Sequence, residues 1–193
     1  MRQENAYVPD HIAMTKAACV QPCAGIACVR ISSRSTALAD ASMRTPLSLR
    51  SFDEFTVAAP WPDSWLLLSE TLTPAELVSR ARQLTGDPDA LVVDLSDFYE
   101  TFDISGSEAM TVLAAGSAVD FKGTAPPIAA ATRLAHFDVL VAYFTTEHFR
   151  ILVPRSYAGD LAAWLTRAAK YATAGRDNPA RNFPRLPAKG MRL

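Results

Sequence analysis

The sequence predicts an α/β fold in a single domain: a mixed sheet with helices packed against it, flanked by disordered tails. Three observations lead there. Hydrophobic residues make up 49% of the 193 residues and charged residues 20%, which is enough apolar material for a core and too little charge for whole-chain disorder. Short apolar runs of strand length recur at 65–69, 90–95, 139–144 and 149–153. Among them stand two helix-start patterns in which a hydroxyl residue precedes a glutamate by three positions, Thr73 with Glu76 and Ser105 with Glu108.

The elements follow in order. Residues 52–57 alternate loosely and predict a first strand. Trp65-Leu66-Leu67-Leu68-Ser69 follows Pro62 and reads as a buried strand. Thr73, Pro74 and Glu76 then form an N-cap, a first-turn proline and a capping box. Leu77, Ala81 and Leu84 continue at helical spacing, and Gly86 ends the helix. Ala90 to Leu95 is apolar almost throughout, the pattern of a central strand covered on both faces. Ser105 opens a second helix through Met110, Val112 and Leu113, and Pro126-Pro127 opens a third through Leu134. Residues 139–144 and 149–153 are strands whose short connection makes them an antiparallel hairpin. Asp160 caps a last helix that turns Leu161, Trp164, Leu165, Ala168 and Ala169 inward and stops near Gly175.

This places the domain at 49–175. Residues 1–48 show no sustained period, contain Pro9, Pro22, Pro46 and a serine-rich stretch at 32–35, and read as a disordered N-terminal extension; Met43 offers an alternative start. Residues 176–193 hold Pro179, Pro184 and Pro187 among Arg176, Arg181, Arg185, Lys189 and Arg192, the composition of a basic extended tail. Cys19, Cys23 and Cys28 all fall in the N-terminal extension. Their spacing lacks the tight pairs of a zinc knuckle, so no metal and no cofactor is assigned, and a reducing cytoplasm is the expected setting.

Net charge is −1, which gives no global attraction to nucleic acid, and no apolar run approaches the ~18 residues of a membrane span. The balance hides an asymmetry. Residues 1–50 carry six Lys/Arg and three Asp/Glu, residues 51–123 three and thirteen, residues 124–193 ten and four. An acidic middle therefore lies between basic ends. No Gly-x-Ser-x-Gly elbow is present, and His136 and His148 read as a helix-end and a turn residue, so nucleophilic catalysis finds no support.

The loop after the 90–95 strand is the informative segment. Asp94, Asp97, Glu100 and Asp103 crowd acidic groups there, Ser96 follows the strand, and Ser105-Gly106 opens a helix. A hydroxyl at that point caps the helix, and a phosphate there would meet its positive end. With Asp94-Leu95-Ser96 followed by Asp103-Ile104-Ser105-Gly106, residues 52–120 resemble the STAS domain, the fold of anti-sigma factor antagonists. The resemblance implies a non-catalytic, regulatory, protein-binding module. It implies phosphorylation at Ser105 beside Asp103 as the switch, a binding loop of Asp94, Ser96, Asp97, Glu100 and Gly106, and an anti-sigma factor or kinase as partner. Ile104 stands where the family carries a hydroxyl residue, and the strand expected after the second helix is not evident.

Two other readings stand beside it. One is a small interaction protein, an immunity or accessory factor, that offers an acidic face to a basic partner. The other is a magnesium-dependent enzyme that uses Asp94, Asp97 and Asp103 in the acidic loop 94–103. They are separable. A STAS-like domain requires Val92 on a central strand and Ser105 at a helix start. A metal enzyme requires the three aspartates to converge. An interaction protein requires a contiguous acidic or apolar patch.

Overall fold

Strands and helices are layered as α-β-β-α in the computed structural model, which describes residues 13–14, 17–33 and 45–176. Strands β1 (Ala13–Met14), β2 (Cys19–Pro22), β3 (Ala27–Ser32), β4 (Leu49–Ser51), β5 (Thr56–Trp61) and β6 (Ser64–Ser69) precede helix α1 (Pro74–Thr85). Then come β7 (Leu91–Asp94), β8 (Tyr99–Ser105), α2 (Ala109–Ala114), β9 (Ile128–Leu134), β10 (Phe137–Thr145), β11 (His148–Pro154) and α3 (Ala158–Arg176). They form a six-stranded sheet in the order β1-β2-β8-β11-β10-β9 and a five-stranded sheet in the order β4-β5-β6-β3-β7. The expected mixture of strands with helices packed on them is present. The strands divide between two sheets, and their pairings among the described residues are antiparallel.

Strand alternation explains the layering. In β6, Trp65 and Leu67 face α1, meeting Leu77 and Ala81, while Leu66 and Leu68 face the other sheet. In β10, Val139, Val141 and Tyr143 face α2 and α3, meeting Val112, Leu161 and Leu165, while Leu140 and Ala142 face the five-stranded sheet. Both faces of each sheet are covered, so these strands read as unbroken apolar runs. Helix α1 starts as its sequence requires. Thr73 accepts from Glu76 N–H, the Glu76 carboxylate accepts from Thr73 N–H at 2.8 Å, and Gly86 closes the helix at φ 55°. The 139–153 hairpin is present, with Leu140 opposite Leu152.

Six expectations need correction. Residues 17–33, placed outside the fold, supply β2 and β3; β3 lies between β6 and β7, with Val29 and Ile31 fully buried. It was missed because Ala27, Cys28, Val29 and Ile31 are all buried, which leaves no alternation to read. Ala13–Met14 adds the short strand β1, and Ser48 bridges to Ile128. Residues 1–12, 15–16, 34–44 and 177–193 lie outside the described residues. Second, β7 is an edge strand and not a central one: its apolar run is short, and Leu91 is 62% exposed. Third, Ser105 ends a strand. The helix begins at Ala109, because pairing with β2 and β11 holds 99–105 extended. Fourth, 128–134 is strand β9, not a helix. Its alanine-rich sequence favours a helix, but a seven-residue ladder with β10 overrides that preference. The first strand also shifts, from 52–57 to β5 at Thr56–Trp61, and Asp160 lies within the first turn of α3 rather than at its cap. No helix among the described residues is long and apolar enough to cross a membrane.

Candidate functional site

The acidic segment splits into three separate arrangements. At the end of β7 the Asp94 carboxylate accepts from the Ser96 N–H at 2.9 Å and from its hydroxyl at 2.6 Å. The Ser96 hydroxyl oxygen accepts from Cys28 N–H at 3.0 Å, and Leu95 N–H donates to Cys28 C=O at 2.8 Å. These bonds fasten the turn to β3. Cys28 is buried beneath it, and burial, with the nearby Asp94 charge, pushes its thiol up to about 12. The turn itself points outward, with Asp97 fully exposed and Phe98 50% exposed.

The second arrangement joins the turn to the chain after β11. Arg155 N–H donates to Phe98 C=O at 2.9 Å, and its guanidinium reaches Glu100 at 3.4 Å and Asp97 at 3.7 Å. The Asp97 pair is solvent-exposed, and pairs of that kind contribute at most about 1 kcal/mol; Glu100 is half-buried.

The third centres on Asp103. The β8–β11 register sets Arg150 opposite it, and Arg150 donates two parallel bonds to its carboxylate at 2.7 and 2.8 Å. Glu70, just past the end of β6, takes the same guanidinium at 2.7 Å. The cluster therefore clasps the two sheets together. His148 lies 3.4 Å from Asp103 and stacks on Phe144, over whose ring Arg150 also sits. Burial alone would raise the Asp103 carboxyl, but hydrogen bonds and charge from Arg150 and His148 outweigh it and hold it well below the usual carboxylate range. Burial would likewise lower Arg150, and Asp103 and Glu70 more than reverse it. Beside them Cys23 is pushed up to about 12, first by burial and then by the Asp103 charge, so its thiol stays protonated.

The site residues expected from the sequence are thus not one constellation. Asp94 and Ser96 brace a turn, Asp97 and Glu100 share Arg155, and Asp103 belongs to the clasp. Ser105 is half-buried, with His148 and Cys19 opposite it on the flanking strands, so its hydroxyl caps no helix. Gly106 is required where it stands: its φ is 108°, its N–H donates to Glu147 C=O, and a β-carbon would lie 2.7 Å from Ala17 C=O. The three aspartates proposed to hold magnesium do not converge, and among the described residues no group of three His, Cys, Asp or Glu side chains is arranged to hold a metal. Arg150 and Glu70 were not singled out from the sequence, and His148, read there as a turn residue, opens β11 opposite Ser105. The signal was there: a lone arginine inside Phe149-Arg150-Ile151-Leu152-Val153 demands a buried carboxylate partner.

No family model and no curated protein matches the sequence. Solved structures do match the fold. One is a chain of the heterotetrameric sarcosine oxidase from Corynebacterium sp. U-96, a structure in complex with pyrrole 2-carboxylate. It is 21% identical with a TM-score of 0.71, and the match covers 85% of this chain and 89% of that one. Another is the glycine cleavage system aminomethyltransferase T from Bartonella henselae, 13% identical with a TM-score of 0.62 over 77% of this chain. The match takes in 45% of that enzyme, so the chain spans about half its length. The fold is shared with both. The STAS resemblance is therefore withdrawn: the matched structures are of other proteins, β7 is an edge, and Asp103-Ile104-Ser105 lies in a strand.

Proposed function

We propose that the protein is a non-catalytic subunit of a hetero-oligomeric enzyme and that it binds a larger protein partner through its acidic side. The observation that carries this reading is the near end-to-end correspondence with a chain of a heterotetrameric oxidase, at a TM-score of 0.71. The correspondence runs over 85% of this chain and 89% of that one. The acidic segment agrees. From Gly86 to Glu100 the chain carries Asp87, Asp89, Asp94, Asp97 and Glu100 and no lysine or arginine, with Leu91 and Phe98 exposed among them. Acidic residues beside exposed apolar ones are what a binding face for a basic partner needs.

The test is native co-purification. The chain, tagged at its chromosomal locus, is expected to pass through size-exclusion chromatography with larger polypeptides at fixed stoichiometry. Oxidase activity toward sarcosine or a related N-methyl amine would travel with that assembly and be missing from the isolated chain. Recovery of the chain alone, as a monomer at native abundance, would overturn the proposal.

A further inference from the structure

The exposed edge of β7 has the chemistry of a docking site for an extended segment of another protein. We propose that β7 accepts a partner strand with basic residues at its ends and apolar residues at alternate positions between them. The inference rests on the subunit reading and says where and how the partner would bind.

The register decides which backbone groups are free to receive it. Val29 pairs with Asp94 and Ile31 with Val92, so the same register sets Cys28 opposite Leu95. Leu95 N–H donates to Cys28 C=O, which fixes the phase of the ladder, while the Cys28 N–H goes to the Ser96 hydroxyl oxygen. In an antiparallel ladder hydrogen-bonded pairs alternate with pairs whose polar groups point outward. Leu91 and Val93 therefore turn their main-chain groups to β3, Leu95 gives it its N–H while its C=O accepts from Phe98 and Tyr99 N–H, and Val92 and Asp94 turn their N–H and C=O away from it. Since β7 ends the five-stranded sheet, no further strand pairs with these groups among the described residues. A strand added there would complete them, the mode of recognition known as β-augmentation.

Side chains set the specificity. Asp87 and Asp89 stand before the strand, Asp94 at its end and Asp97 beyond it, so both ends of the edge are negative. Leu91 projects between them, and Phe98 lies exposed just past the end. Arg30, the β3 residue opposite Val93, is turned onto the Trp61 ring and the Ser64 hydroxyl, and Arg155 touches the Asp97 end alone, so Asp87, Asp89 and Asp94 keep their field. An edge protected against pairing usually carries inward-pointing charge or lysine along the strand. Here the charges flank an apolar centre and would repel an acidic strand while drawing in a basic one.

The experiment uses the full chain, isotopically labelled, and a synthetic octapeptide with Lys-Arg at each end and Thr alternating with Val and Ile between. In the free protein the Val92 and Asp94 amides are expected to exchange with solvent about tenfold faster than Val93 and Leu95, as unpaired edge amides do. The peptide should slow Val92 and Asp94 selectively. Leu91→Lys, and the combined change Asp87→Asn, Asp89→Asn and Asp97→Asn, should each weaken its binding by about tenfold or more with melting temperature retained. A peptide with Glu-Glu ends should not bind. Several results would overturn the proposal: amides of Val92 and Asp94 already protected in dilute protein, which would mean the chain covers its own edge; protection that rises with protein concentration, which would mean a second copy occupies it; equal binding of the two peptides; or protection elsewhere. Failure here with native co-purification intact would leave the subunit reading standing with its contact on another face.

Discussion

Asp97 and Asp103 are the same residue type six positions apart in one acidic stretch, yet one is fully exposed and the other has only 22% of its side chain in solvent. Asp97 rides on a turn and touches Arg155 loosely at 3.7 Å. Asp103 sits in a strand whose register hands it the two-pronged guanidinium of Arg150. Charge density along a sequence therefore says little about what each charge does. Cross-strand partners decide which carboxylate holds the fold and which stays in solvent.

Breaking the clasp should have the largest effect. Arg150→Ala leaves Asp103 and Glu70 without their cation between the sheets and is expected to cost about 3–5 kcal/mol, read as a lower urea midpoint at unchanged slope. Adding Asp103→Ala should restore part of the loss. A fall of less than about 1 kcal/mol in the single variant would mean the clasp contributes no more than a surface pair.

Gly106→Ala probes the end of the same strand. With φ at 108° and the Ala17 carbonyl in the way, it should cost about 2 kcal/mol in the same assay. Wild-type stability there would show that Ala17 yields easily.

Acid titration separates the two aspartates further. The folded Asp103 carboxyl lies below its unfolded value of about 3.9, so its stabilisation is complete above that pH and drains away as pH falls beneath it. Melting temperature followed from pH 5 downward should drop less steeply in Asp103→Asn than in wild type, and identical slopes would remove Asp103 from the account. The smallest effect belongs to Asp97→Asn, which should change stability by less than about 0.5 kcal/mol at any of these pH values while still weakening the basic peptide. A larger loss of stability would make Asp97 a structural residue like Asp103.

Local signals in the sequence were sound where local physics decides. The Thr73–Glu76 box and the 139–153 hairpin formed as read, since a cap and a short turn involve only neighbours. The division into two sheets was invisible, because nothing in an apolar run says which distant run it will join. Residues 99–105 alternate Phe102 and Ile104 with polar residues and are a strand in hindsight; the Ser-Gly-Ser-Glu pattern that follows drew them toward a helix. The site was half legible for the same reason. Asp103 was singled out for its setting, but its role came from Arg150 on a strand 47 positions away.

The position of β3 has a consequence for biosynthesis. Cys28 is made early, yet its N–H meets Ser96, 68 positions downstream. On the ribosome, Val29 and Ile31 must wait through the synthesis of β4 to β7 with their apolar surface uncovered, a delay that invites aggregation and chaperone binding. Translation begun instead at Met43 would omit β2 and β3 altogether. Strands β6 and β7 would then have no strand between them, α1 would lose much of the surface it packs on, and the choice of start codon would decide whether the five-stranded sheet exists at all.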